Sequence, residues 1–84
     1  MYYVYVLKSQ YDEGLYIGRT NDLRRRLKEH NDGESFSTSF RGPFNLLYYE
    51  AYRDEKDAIK REKALKLRGN ARRFLMDRLS YSLQ

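Results

Sequence analysis

Residues 2–8 carry aromatic and β-branched side chains at almost every position, which predicts a strand. Residues 9–14 are polar and end in Gly14, predicting a hairpin loop into a second strand over 15–19. Thr20 and Asn21 can each cap a helix, and from there the apolar period lengthens. Over about 22–30, Leu23, Arg26, Leu27 and His30 recur at i, i+3, i+4 and i+7, so they share one stripe. Arg24, Arg25, Lys28 and Glu29 point away from it, and Asp22 falls in the expected first turn, where the helix dipole favours an acid. Asn31-Asp32-Gly33 stops this helix, glycine being the usual residue just past a C-cap. Residues 34–42 have no period and many hydroxyls, which predicts a loop. Pro43, tolerated at the start of a strand, then introduces the longest strand candidate, 44–52. Asp54 is a good N-cap, with Asp57 placed as in a capping box, for a helix to about Leu67 that ends at Gly69. Asn70 is expected to cap a last helix whose apolar face is Ala71, Phe74, Leu75 and Leu79. The order β-β-α-β-α-α implies an α+β fold: a small sheet containing an antiparallel hairpin, covered by helices.

Composition narrows the reading. Eighty-four residues make one domain, 1–84, near the lower end of what folds without staples. There is no cysteine, so neither disulfides nor thiolate metal sites contribute, and the core must draw on nine Tyr and four Phe. A formal net charge of +5 favours an anionic partner, nucleic acid or an acidic membrane surface. Residues 1–7 are too short for a transmembrane span and lack a basic leader, so the expectation is a cytoplasmic protein with no membrane partner.

An arginine and the chain's sole histidine on the buried stripe of the first helix, beside a strand bearing Tyr16, have the shape of a site. Arg is the side chain best formed to grip a phosphate bidentately, and His30 can exchange a proton near neutrality. The other reading of Arg19, Arg26 and His30 is surface charge plus a packed neutral histidine. On the second helix, Glu62 sits amid an inward stripe of Ala58, Ile59, Leu65 and Lys66. A carboxylate there needs a compensating cation. Either it pairs with Lys66 at i,i+4, or it holds Mg²⁺, whose other positions stay with water and a substrate phosphate. Tyr5 and Tyr16 fall on paired strands and are either packing or a pair of cleft phenols. As a base at neutral pH, a phenol needs help from a cation such as Arg26. Gly18, inside a strand, marks either a bulge or a place where a nucleic-acid backbone presses in. Lys66 and the other basic residues of the last two helices form either a solvated face or a phosphate track.

These residues resemble the GIY-YIG nuclease family. Val4-Tyr5-Val6 is a relaxed form of the first signature element, and Tyr16-Ile17-Gly18 is the second, intact. Arg26, His30 and Glu62 follow at the family's spacing, and Ser37-Thr38, Arg41-Gly42-Pro43 and 47–52 are similar to stand-alone, excinuclease-subunit-like members. The resemblance implies a three-stranded antiparallel sheet flanked by helices, and cleavage of nucleic acid with one divalent metal, Mg²⁺ or Mn²⁺; DNA is favoured over RNA as the partner. It makes Tyr5 and Tyr16 the residues that orient or deprotonate the attacking water, Arg26 the stabiliser of the pentacovalent phosphate, and His30 an assistant in proton transfer. Glu62 becomes the metal ligand, and Gly18, Arg19, Thr38, Arg41 and Lys66 contacts to nucleic acid. Two departures bear on rate and on dependence on a partner: Val4 stands where the first motif opens with glycine, and the only Asn after Glu62 is Asn70. With no second domain to choose a target, specificity falls to a protein partner. The leading expectation is a metal-dependent endonuclease of low sequence preference in DNA repair or recombination. The alternatives are a non-catalytic nucleic-acid-binding module and a basic structural protein.

Overall fold

The structure, a computed structural model, describes residues 1–33, 42–67 and 69–84. The expected nucleic-acid contacts Thr38 and Arg41 lie outside the described residues. Strands β1 (Tyr2–Ser9), β2 (Leu15–Thr20) and β3 (Phe44–Tyr52) and helices α1 (Leu23–Asn31), α2 (Glu55–Lys66) and α3 (Asn70–Arg78) follow in the order β-β-α-β-α-α. The strands form one antiparallel sheet in the order β2-β1-β3.

The first strand is central and both of its faces are covered, which is why its apolar run is nearly unbroken. Val4 and Val6 point to one side, against Ile17 and the buried Ala58, Leu65, Leu75 and Leu79 of α2, α3 and the turn after it. Tyr5 and Leu7 point to the other, packing with Phe44 and with Leu23 and Leu27 of α1. A register shift between Val6 and Leu7 pairs Val6 with Tyr48 but Leu7 with Leu46. That extra residue on β3 lets Leu47 and Tyr48 both join the α2–α3 side, a break in alternation characteristic of a bulge.

Local polar contacts set the boundaries. The buried Ser9 hydroxyl accepts from the backbone N–H of Tyr11 and Asp12, closing the hairpin loop. Asp22 is the N-cap of α1 itself rather than an acid in its first turn: its carboxylate accepts from Arg25 N at 3.1 Å. Gly33 lies just past the far end at φ 75, the left-handed position that favours glycine. Asn31 ties that end to the start of β3, its Oδ1 accepting from Phe44 N at 2.6 Å. Asp54 caps α2 through Lys56 N. Asn70, expected as a cap, is the first helical residue of α3, and Gly69 occupies the cap without a side-chain bond. Phe74, expected on the apolar face of α3, is 60% exposed. Leu75 and Leu79 already fill the helix's contact with the sheet, and Phe74 instead lies under the Arg73 guanidinium, 5.3 Å from its ring centre.

Gly18 sits in regular register rather than at a bulge. It pairs directly with Tyr5 across the strands, and a Cβ built there would sit 2.6 Å from Tyr5 Cζ. The phenol ring of a buried neighbour occupies the space. Gly18→Ala is therefore expected to destabilise the fold by roughly 1–3 kcal/mol through overpacking, read as a lower denaturant midpoint. An unchanged midpoint would mean that Tyr5 turns aside freely.

Candidate functional site

Pleating and helix period together bring four of the expected residues to one face. Tyr5 on β1 and Tyr16 on β2 lie on the α1 side, their ring centres 6.4 Å apart. The inward stripe of α1 delivers His30 between them, 5.8 Å from the Tyr5 ring and 4.9 Å from the Tyr16 ring, edge-on to both. Phe44 closes the fourth side at 5.9 Å. Tyr5 and His30 are each only 1% exposed, whereas Tyr16 and Arg26 are partly exposed.

The Tyr5 hydroxyl is the junction. It lies 2.9 Å from His30 Nε2, with the Arg26 guanidinium beside it. Burial pushes its pKa up to about 12, despite opposing help from Arg26. Burial, aided by the Arg26 charge, lowers His30 to about 4. At neutral pH a protonated phenol therefore shares its hydrogen bond with a neutral imidazole, and the Arg26 charge stands beside the pair. Burial alone would lower the Arg26 pKa, but its bonds to Tyr5 and Glu29 outweigh that and raise it, so the guanidinium stays charged. Buried Tyr5 is thus a hydrogen-bond donor, and Tyr16 is the phenol of the pair within reach of solvent.

Glu62 approaches from the other side of the sheet. Arg19 alternates to the face opposite Tyr16 and Gly18, and there its Nε donates to Glu62 Oε1 at 3.2 Å, while its Nη1 reaches Glu55 at 3.1 Å. Lys66 Nζ pairs with Glu62 Oε2 at 3.0 Å, as the i,i+4 reading expected. Because β2 is an edge strand, both groups border the same sheet margin, and the Glu62 charge is near enough to be among the lesser influences raising Tyr5. Arg19 and Lys66 meet this carboxylate; Gly18 meets the Tyr5 ring.

Among the described residues no three His, Cys, Asp or Glu side chains converge as a metal cage. A single hard carboxylate with lone pairs to spare still fits a cation that keeps most positions for water and phosphate, as Mg²⁺ does. Lys66 is half-exposed and long enough to swing aside.

A polar cluster unforeseen from the sequence lies behind Glu62. Glu50 on β3 accepts from Arg61 Nε at 2.8 Å and Nη2 at 3.0 Å, and from the hydroxyls of Tyr48 and Tyr52. Burial opposes ionisation of Glu50, but these donors outweigh it and hold the carboxyl below its usual range. The signal was present as Tyr48, Glu50 and Tyr52, alternating on one strand face. This fork anchors α2 to β3 one residue before Glu62.

The His30 environment carries a pH signature. Its folded pKa lies below the ordinary 6.5, so the unfolded chain takes up the proton first. Its contribution is complete above about pH 6.5 and is lost as pH falls toward 4, a span worth roughly 3 kcal/mol at most. Urea titrations across that range should show the acid slope diminished in His30→Gln; an identical slope would refute the assignment.

The sequence profile of the GIY-YIG catalytic domain matches residues 1–74. A UPF0213 protein of Clostridium perfringens is 45% identical over 67 residues, 79% of this chain and 71% of that protein. One from Haloquadratum walsbyi is 39% identical over 66 residues, covering 77% and 73%. The solution NMR structure of a UPF0213 protein from Bacillus halodurans superposes with a TM-score of 0.58 at 31% identity, covering 99% of this chain and 93% of that one. Nucleases of the GIY-YIG family are generally dependent on a divalent metal. A match over most of the chain, with relatives at this identity, leaves one conclusion: the chain belongs to the GIY-YIG nuclease family and is related to its UPF0213 proteins.

Proposed function

We propose that this protein hydrolyses phosphodiester bonds in DNA, using a divalent cation, Mg²⁺ or Mn²⁺, with little sequence preference. The observation that carries the reading is the Tyr5–His30 hydrogen bond at the centre of the sheet, with charged Arg26 beside it and partly exposed Tyr16 on the neighbouring edge strand. Arg26 is charged, partly exposed and held by Glu29 beside Tyr5, so it is ready to meet charge developing on a phosphate. Tyr16, solvent-accessible beside neutral His30, orients the attacking water, and His30 sets the Tyr16 ring while taking its own orientation from Tyr5. Glu62 would hold the cation, which when bound supplies Lewis acidity toward the phosphate and a more acidic water. Gly18 keeps Tyr5 seated, while Arg19 and Lys66 hold the carboxylate until the cation and the nucleic-acid backbone arrive. Thr38 and Arg41 complete the proposed nucleic-acid contacts on the strength of the family resemblance.

No helix among the described residues is long and apolar enough to cross a membrane. A cytoplasmic role in repair or recombination of DNA, with a protein partner choosing the target, accords with the positive charge and the small size. A second reading, a binding module without catalysis, is favoured by one observation: both Glu62 oxygens already carry cationic partners.

Nicking of supercoiled DNA separates the two. Activity should require Mg²⁺ or Mn²⁺, vanish in EDTA and fall below detection in Glu62→Gln. At saturating DNA, Arg26→Ala should lower the rate roughly 100- to 1000-fold, with Arg25→Ala close to wild type because Arg25 points to solvent. Salt-sensitive binding without cleavage under any metal would leave the binding module. Equal losses at Arg25 and Arg26 would refute the assigned helix face.

A further inference from the structure

On the other flank of α1, the same sheet face stays uncovered among the described residues. Tyr3 and Tyr49, diagonal neighbours on β1 and β3, meet edge to face with ring centres 5.9 Å apart, and Tyr49 is 53% exposed. They floor a concavity of about 460 Å³ whose walls include Leu23, Leu27, Leu46 and Arg24. Helix geometry sets this flank apart from the proposed site: Arg24 and Leu27 lie to one side of Leu23, Arg26 and His30 to the other.

We propose that this groove is a stacking platform for an unpaired base, so that the protein grips nucleic acid where a strand is single. An exposed ring on a pleated sheet, backed by an aliphatic wall, offers a π-face to any base. Arg24 supplies the complementary charge for the adjoining phosphate, is exposed, and makes no ion pair among the described residues. The one acid on the rim, Asp22, is engaged as the α1 cap with Arg25 N. Tyr49 pairs directly with Tyr5 across the strands, so a base held here leaves its strand to run past α1 toward the β2 edge. A duplex keeps its bases stacked inside and cannot use the platform; a single strand, flap or frayed end can.

The inference deepens the preceding reading by naming its substrate class and rests on that reading, and the test keeps the two apart. Binding is measured in EDTA, where hydrolysis plays no part, with a fluorescent oligothymidine and a blunt duplex of matching length. The chain has no Trp, so Tyr49→Trp installs a sole indole reporter. Its emission should be quenched by the oligothymidine and much less by the duplex. Tyr49→Thr, which retains strand propensity, should weaken oligothymidine binding by roughly 5- to 100-fold. Tyr11→Thr, altering an exposed tyrosine of the hairpin loop, should leave it unchanged. Wild-type affinity in a natively folded Tyr49→Thr, or equal affinity for duplex and single strand, overturns the platform. So does self-association that Tyr49→Thr abolishes in a protein that binds no oligothymidine, since the groove then joins copies of the chain. Metal-dependent cleavage without any effect of Tyr49 removes this inference alone. Tyr49-dependent binding by a chain that never cleaves removes the hydrolase reading alone.

Discussion

The Tyr5 hydroxyl, held between Arg26 and His30 and pressed onto Gly18, is the contact on which the architecture turns. It is a polar group at the centre of the sheet, and a buried hydroxyl left unbonded would cost on the order of a few kcal/mol. Its partner His30 and the neighbouring Arg26 come from one helix, so seating the hydroxyl fixes the rotation of α1 about its axis and its placement over the strands. The glycine across from it gives the ring room to lie flat. Three segments are thereby committed to one arrangement before any substrate is considered.

That arrangement separates the roles of chemically similar groups. Two phenols enter the cluster, but burial locks one into hydrogen-bond donation while the other stays in reach of water. The imidazole is held neutral by the same burial and by the neighbouring guanidinium. Low polarity would ordinarily disfavour the Arg26 charge, yet two hydrogen-bond acceptors outweigh it. The carboxylate is kept on the far side of the edge strand, neutralised by Arg19 and Lys66 and positioned from behind by the Glu50–Arg61 fork. Cation and carboxylate are thus kept apart across a strand: Arg26 pairs with Glu29, and Glu62 with Arg19 and Lys66.

The two sides of the sheet divide the work. Against α2 and α3 the packing is aliphatic and supplies most of the core. Against α1 it is aromatic and partly polar, and only part of that face is roofed. A short helix covers the Tyr5–His30 cluster at one end and, among the described residues, leaves Tyr49 exposed at the other.

The amino-acid order alone determined the elements and the inward stripe of α1, because pleat and helix periods are local and Leu23, Arg26, Leu27 and His30 obey them. It also announced the family through Tyr16-Ile17-Gly18 and the residues that follow at fixed spacing. Caps were less legible: Asp22 and Gly69 displaced their neighbours because capping depends on one or two dihedral angles that sequence scarcely constrains. Only the tertiary structure decided that Gly18 answers to the Tyr5 ring, that Tyr5 is sealed while Tyr16 is not, and that Glu62 reaches the edge from behind. Those are facts of cross-strand register, of the bulge at Leu47 and of which face each helix covers. They arise from packing between segments far apart in the chain, and no periodicity within a single segment encodes them.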